Sequence, residues 1–314
     1  MNDLSIIIVN YNTINELSEC IKSIRTHTSD VKYEIVVVDN NSKDGSREML
    51  ESDLSDIKKI FLSFNSGFSY ANNVAMKQVK SKYALLLNPD TYLIENSFKI
   101  MLEFLTQNPE IGAVGPIITN AEGKFSLTMS KFPSLFLLLL ETLSFKNALR
   151  KYSLSKIQRK ALSNKTEFEV DWISGGCLMV RTETYNHIGG LDERYHLFSE
   201  DVDLCLRLKQ TNWKIFCLPQ TRVIHIGGVS TSRNHFTLVS NRYKSRLIYC
   251  KKHFKGRKRL TYHMITIIGL ISRIIGTILL IKMKRKEKIA RLRAYLKATR
   301  LWMGISSDAP NNQT

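Results

Sequence analysis

Acidic side chains stand at three points of this chain where an apolar run gives way to turn residues, and each place suits a different task. Asp39 closes Ile35-Val36-Val37-Val38 and precedes the turn-rich Asn40-Asn41-Ser42-Lys43-Asp44-Gly45-Ser46. A carboxylate there can accept a hydrogen bond from a base N–H or a ribose hydroxyl; it can equally close an Asx-turn or cap a helix. Asp90 ends Leu85-Leu86-Leu87-Asn88-Pro89-Asp90, where Pro89 fixes the backbone and the carboxylate projects past the run. Such an oxygen suits a hard divalent cation that keeps phosphate oxygens and waters as its other ligands, against the plainer role of a helix start. Glu200-Asp201-Val202-Asp203 places three carboxylates in four positions just before a helical pattern. Like charges repel, a helix N-terminus offsets part of that cost, and capping explains Asp203 more easily than all three. One of them can serve as a general base. His225, after Arg222-Val223-Ile224 and before Gly227-Gly228, is placed to ligate the same cation or to serve structurally. Trp172 with Ser174, Gly175 and Gly176 forms a small-residue turn behind an indole, either a sugar-stacking platform or a buried tryptophan.

The elements that must position these residues follow from hydrophobic period. Apolar runs at Leu4–Val9, Glu34–Val38, Lys59–Leu62, Tyr83–Leu87, Ala113–Ile117, Cys177–Arg181 and Lys214–Leu218 read as strands. Helical patterns at Asn15–Arg25, Glu95–Gln107 and Val202–Gln210 lie between them. Continuous apolar strands joined by helices predict a mostly parallel sheet covered on both faces, in which ligands bind beyond the carboxyl ends of the strands. Three polar clusters sit at such ends: Asn10-Tyr11-Asn12, Asp39-Asn40-Asn41-Ser42 and Asn88-Pro89-Asp90. Residues 125–168 lose the rhythm and read as an insertion, with an apolar run at Leu135–Leu140 and a basic stretch from Lys146 to Lys165. Neither GxGxxG after a strand nor GxxxxGK[ST] occurs, so a nucleotide must be held by other means.

At 314 residues and 43% hydrophobic, the chain has ample material for a core, and disorder as its main state is excluded. The net charge of +18 is confined to one segment: residues 242–300 hold 19 Lys/Arg against a single acid, Glu287. The remainder is balanced at 27 of each sign, a near-neutral body followed by a basic tail. Five cysteines without CxxC spacing argue against a disulfide framework or structural zinc. The first apolar run lacks a basic flank and is too short for a signal peptide, so it reads as a buried strand of a protein facing the cytosol.

Six ordered segments together resemble one family: Ser5–Asn12, Val36–Ser42, Asn65-Ser66-Gly67-Phe68, Leu87–Thr91, Gly189–Glu193 and Glu200–Leu204. They are similar to the family-2 inverting glycosyltransferases of the GT-A fold, particularly the bacterial rhamnosyltransferase-like branch, from residue 4 to about 230. The resemblance implies an α/β GT-A domain at 1–240, with a nucleotide-binding half (1–120), an insertion (121–170) and an acceptor or catalytic half (171–240), followed by a basic helical extension at 241–314. It implies transfer of a sugar from dTDP-rhamnose or a UDP-hexose to a polysaccharide or lipid-linked oligosaccharide in bacterial cell-surface glycan synthesis. By motif, Asn10, Tyr11, Asp39, Asn65, Gly67, Asn72 and Asn88 would hold the nucleotide-sugar, Tyr11 against the base and Asn65, Gly67 and Asn72 beneath the diphosphate-sugar. Asp90 and His225 would hold Mg²⁺ or Mn²⁺, Asp201 would be the base with Glu200 as the alternative, and Trp172, Gly175, Gly176 and Asp192 would shape the acceptor side. Asn88-Pro89-Asp90 offers one carboxylate where many relatives have two, which gives His225 more weight.

Residues 264–283 are long enough to span a bilayer, but Arg273 sits at the middle and both flanks are basic. The expectation is a helix or hairpin lying in an anionic leaflet at the cytoplasmic face of the bacterial inner membrane, with Leu135–Leu140 assisting; a helix pair packed on the body is the alternative. Nucleic acid explains the charge poorly, because the tail is too apolar and lacks interleaved stacking aromatics. A non-catalytic nucleotide-sugar-binding or membrane scaffold of the same fold is the competing function. It has no need of a base together with a cation site.

Overall fold

A computed structural model describes residues 3–126, 129–143, 154, 156–227, 235–279, 283 and 285–305. The expected basic stretch 146–165 falls partly outside these residues, as do 280–282 and Gly228. The chain divides into two units. The first comprises residues 1–132, 153–196 and 200–230, and the second comprises 133–152, 197–199 and 231–314.

The first unit is built on a nine-stranded sheet. Its strands are β1 (Leu4–Asn10), β2 (Tyr33–Asp39), β3 (Lys58–Phe61), β4 (Tyr83–Leu87), β5 (Thr91–Leu93), β6 (Ile111–Thr119), β8 (Phe168–Glu169), β10 (Cys177–Arg181) and β11 (Lys214–His225). They run in the order β3-β2-β1-β4-β10-β6-β11-β5, with β8 paired to β11. Pairs β2/β3, β1/β2, β1/β4 and β6/β11 are parallel. β10 enters antiparallel between β4 and β6, so its first residue, Cys177, lies opposite Leu87 at the carboxyl end of β4. β7 (Met129–Ser130) and β9 (Trp172–Ile173) make a separate two-stranded ribbon.

Alternation along the central strands divides the core in two, as a sheet covered on both faces requires. Leu4, Ile6 and Ile8 pack with Ile35, Val37, Leu85 and Leu87 against α1 (Ile14–His27) and α4 (Ser97–Gln107). Ile7, Val9, Val36, Val38 and Leu86 face the other way with Ala71 and Ala75 of α3 (Phe68–Met76), Tyr185 of α7 (Thr182–His187) and Leu204 and Leu208 of α8 (Glu200–Gln210). Two further helices, α2 (Ser46–Asp53) and α6 (Lys156–Ser163), complete this unit. β11 joins two runs that the sequence pattern reads as separate. Pro219 has no N–H to give a ladder, and the register shifts between Leu218 and Arg222 instead of the strand ending.

The second unit contains α5 (Leu135–Thr142), α9 (His235–His253), α10 (Gly256–Leu279) and α11 (Arg285–Trp302). Its own core includes Tyr243, Leu247, Phe254, Tyr262, Leu270, Ala294, Ala298 and Trp302. Trp302 Nε1 donates to the Tyr243 carbonyl at 3.0 Å. The chain enters this unit for Leu197–Ser199 alone between β10 and α8. There Ser245 Oγ of α9 donates to the Leu197 carbonyl at 2.7 Å, and the Arg242 guanidinium lies 5.3 Å from the Phe198 ring centroid. Phe198 and Ser199 are both left-handed, with φ of 73° and 66°.

Candidate functional site

Four site residues meet at one edge of the sheet because their strands end there. Asn10 ends β1, Asp39 ends β2, Asn88 follows β4 and His225 ends β11. The antiparallel β10 begins at the same edge, which brings Gly175 and Gly176 to it.

Asn10 is fully buried, and its amide is spent within the fold. Nδ2 donates to Asp39 Oδ1 at 3.1 Å and to Ser42 Oγ at 3.0 Å, while Oδ1 accepts from Thr13 Oγ1 at 2.7 Å. Asp39 is 1% exposed, and its Oδ2 accepts the Ser42 backbone N–H at 3.0 Å. The Asx-turn and the strand-end position therefore coexist, and both side chains shape the loop after β2. Tyr11, by contrast, is 36% exposed. Asn40, from the polar cluster at the end of β2, ties this loop to the next: its Nδ2 donates to Asn65 Oδ1 at 3.1 Å, and its Oδ1 accepts the Ser66 N–H at 2.8 Å.

Gly67 has φ +85° and ψ 173°, a region open only to glycine, and a Cβ there would lie 2.5 Å from His196 Nδ1 and 2.6 Å from its carbonyl oxygen. Phe68 N–H donates to that same carbonyl at 2.8 Å. His196 is thus the wall behind Asn65–Gly67. One turn along α3, Asn72 is buried, donating to the Phe68 carbonyl at 2.8 Å while its Oδ1 has no partner. Asn73 joins α3 to the 191–193 turn: it accepts from Tyr185 Oη at 2.6 Å and from the Leu191 N–H, and donates to Glu193.

Asp90 and His225 face one another, with Nε2 2.9 Å from Oδ1, and Asn88 Nδ2 lies 3.4 Å from the same imidazole nitrogen. β5 sets this distance by pairing Thr91 with His225, and the Ile226 N–H donates to the Asp90 carbonyl. Adjacent ligands of an octahedral ion with bonds of about 2.1 Å stand about 3 Å apart, so the Asp90–His225 separation fits two vertices of one site. Among the described residues no group of three His, Cys, Asp or Glu gathers to hold a metal. A cation held by such a pair would draw its other ligands from a diphosphate and water.

Gly175 and Gly176 connect this pair to the acidic helix. Gly175 N–H donates to Asp201 Oδ2 at 3.1 Å; a Cβ on Gly176 would stand 3.6 Å from Asn88 Nδ2 and 3.9 Å from His225 Cε1. Asp201 and the Asp90–His225 pair thus flank a single two-residue turn. The carboxylates of α8 divide into three kinds. Asp203 is fully buried, 2.7 Å from Arg207 Nε and 3.4 Å from Tyr195 Oη, and Arg207 also donates to the carbonyls of Ile188 and Gly190. It packs within the fold, held in a side-chain pair with Arg207. Asp201 accepts two backbone N–H bonds, from Gly175 and from Val202 at 2.8 Å, which offset part of the upward push that burial gives its pKa. Glu200 is 6% exposed and its Oε2 has no partner; burial, then the charge of Asp201, holds its pKa well above the ordinary carboxylate value. Of two adjacent carboxyls, the one with fixed N–H donors keeps the charge and the one without keeps the proton.

Trp172 is half-buried in the β7/β9 ribbon, its Nε1 donating to the Lys131 carbonyl at 3.1 Å. Asp192 accepts a two-pronged pair from Arg194, at 2.9 Å from Nε and 2.6 Å from Nη2. The structure brings Gly175, Gly176, Asn88, Asp90, His225 and Asp201 together directly.

Solved structures share this architecture. The mannosyltransferase PcManGT from Pyrobaculum calidifontis, in complex with GDP-Man and Mn²⁺, superposes with a TM-score of 0.57 at 15% identity, covering 96% of this chain and 86% of that one. GalNAc-T7 with UDP, GalNAc and Mn²⁺ superposes with a TM-score of 0.60 at 15% identity, covering 97% of this chain and 56% of that one. The fold is the GT-A fold of nucleotide-sugar transferases. In sequence, the profile of glycosyl transferase family 2 matches residues 5–189, and that of the N-terminal domain of galactosyltransferase matches 156–231. The chain belongs to glycosyl transferase family 2. Among its relatives is the N-acetylglucosaminyl-diphospho-decaprenol L-rhamnosyltransferase of Mycobacterium tuberculosis, 25% identical over 264 residues that cover 81% of this chain and 85% of that protein.

Proposed function

We propose that this protein transfers a sugar, with inversion, from a nucleoside-diphosphate donor to a lipid-linked oligosaccharide or polysaccharide acceptor in bacterial cell-surface glycan synthesis. dTDP-rhamnose is the first donor to try and a UDP-hexose the second, a choice supported by the mycobacterial rhamnosyltransferase at 25% identity. The acceptor of that relative is carried on decaprenol, which supports a membrane-borne acceptor and a place at the cytoplasmic membrane face.

The observation that carries the reading is the Gly175-Gly176 turn, with Asp201 on one side and Asp90–His225 on the other. In this assignment Asp201 takes the acceptor hydroxyl proton as that oxygen forms its bond to the anomeric carbon. The bond from that carbon to the diphosphate breaks with its electron pair on phosphate. Asp90 and His225 would hold Mg²⁺ or Mn²⁺, which when bound supplies positive charge to the departing diphosphate. Tyr11 offers an exposed ring to the base, while Asn10, Asp39, Asn65 and Gly67 fix the two loops between which the nucleotide lies. Glu200 stays neutral beside the base, and Asn88, Asn72, Trp172 and Asp192 border the donor and acceptor sides.

Calorimetric titration of the full chain with nucleoside diphosphates and their sugars, with and without Mn²⁺, tests the donor site. Metal-dependent binding of one nucleotide supports the reading. A folded protein that binds none refutes it and favours a scaffold. Asp201→Asn is expected to lower turnover by about 10²–10⁴-fold, the usual worth of a general base, with donor affinity unchanged.

A further inference from the structure

The second unit keeps an apolar core yet leaves a long apolar ridge outside it. On α10, Leu260, Met264, Ile268, Ile271, Ile275, Ile278 and Leu279 are 45–70% exposed. Their spacing places them along one face of the helix over roughly 29 Å, at 1.5 Å per residue. The residues turned inward are Tyr262, Thr266, Gly269, Leu270 and Thr277. Arg273 lies within 3.8 Å of Glu141, which also receives Arg246 at 2.8 Å. The hydroxyls of Thr266, Ser272 and Thr277 donate back to helix carbonyls, so none of them calls for water. α5 lies alongside, where Gly269 lets Thr142 approach so closely that a Cβ would meet it at 3.1 Å. It adds exposed Phe136, Leu139 and Leu143 to the surface. An apolar ridge of this length left outside a packed core is the arrangement a lipid surface selects.

The charges beside the ridge decide which occupant fits. Arg257, Lys258 and Arg259 at the start of α10, and Lys251 and Lys255 just before it, are exposed or partly exposed, and residues 242–286 contain no acid. Anionic lipid headgroups complement such a rim. Spanning is disfavoured by Arg273, near the middle of the helix, which lies with Arg246 at Glu141.

We infer that α10 and α5 form a monotopic membrane-docking face that lies in the plane of an anionic leaflet with the Leu260–Leu279 ridge sunk among the acyl chains. This deepens the membrane location in the reading above and rests on it only for the acceptor's place in a bilayer. Vesicle binding is read without turnover, so the two fail separately.

The test is co-flotation of the purified full-length chain with phosphatidylcholine vesicles, with and without phosphatidylglycerol. It is run for the wild type, Ile268→Lys/Ile275→Lys and the control Ile94→Lys, with circular dichroism to check folding. The double variant changes exposed positions and is expected to keep its fold. Expected are flotation with phosphatidylglycerol vesicles that weakens at high salt, at least about a tenfold loss in the double variant, wild-type behaviour of the control, and release by alkaline carbonate. Failure to float, or flotation unchanged in a folded double variant, overturns the inference. Retention through carbonate also overturns it, in favour of a spanning helix. So does a dimer in light scattering that the double variant abolishes without any vesicle binding, because a second copy would then cover the ridge.

Discussion

Glu200→Gln tests how the two adjacent carboxyls divide their roles. Glu200 is 6% exposed with an unpartnered Oε2, and burial with the charge of Asp201 holds its pKa well above the ordinary value. In the folded protein it therefore keeps its proton where the unfolded chain, with a pKa of about 4.3, has lost it. Because the folded value is the raised one, the stability this group contributes is complete below the unfolded value. It is lost as pH climbs from there to the folded value. Glutamine has no proton to lose, so the variant lacks that slope. Within the window the variant gains about 1.4 kcal/mol on the wild type per pH unit. At about 2–4 °C per kcal/mol, that is about 3–6 °C of melting temperature. Scanning calorimetry of both proteins from acid to neutral pH reads the difference directly, and any constant cost of the amide cancels. Turnover should survive in the glutamine variant with its acid limb intact, since Asp201 still titrates. A melting difference that does not move with pH would refute the assignment of the proton to Glu200. Abolished turnover with donor binding intact would refute the choice of Asp201 as base.

Three further substitutions have definite expected outcomes. Gly67→Ala combines φ +85° with a contact of 2.5 Å to His196 and is expected to cost at least about 1–3 kcal/mol, read as a lowered melting temperature and weakened nucleotide binding. Asp203→Ala leaves Arg207 without the carboxylate 2.7 Å away and should destabilise by about 3–5 kcal/mol in denaturant titration. His225→Ala should raise the Mn²⁺ concentration required for nucleotide binding by about tenfold or more and, because the buried Asp90 carboxylate loses its partner at 2.9 Å, should cost the metal-free protein about 1–3 kcal/mol.

Much of the sheet was legible because burial on both faces writes continuous apolar runs: Leu4–Val9 and Tyr83–Leu87 are strands with nearly those bounds. Strand direction was not, since an apolar run reads the same either way, and the antiparallel entry of β10 is what delivers Gly175 and Gly176 to the site. β5 escaped notice because three residues are too short for a period. Asp90 and His225 were legible as strand-end residues, but their 2.9 Å approach comes from pairing 135 positions apart in sequence. Asn40 stands in a polar cluster at a strand end, but its partners Asn65 and Ser66 lie 25 and 26 positions away, and Asn73 and His196 give no signal at all. Their roles are to hold loops together, and a loop's partners are fixed only once the fold is formed.

The three-residue excursion Leu197–Ser199 changes what a truncation of this protein can mean. The segment that leads into Glu200 and Asp201 is gripped by Ser245 and Arg242 of α9, and it enters α8 through two left-handed residues that are strained outside glycine. Cutting the chain after residue 230 to obtain a soluble enzyme would remove α9 and release that segment to relax. Lost activity in such a fragment would then reflect a slackened entry into α8 as much as the loss of residues 231–314. Point changes on the exposed ridge, which leave α9 whole, are the cleaner way to separate the two.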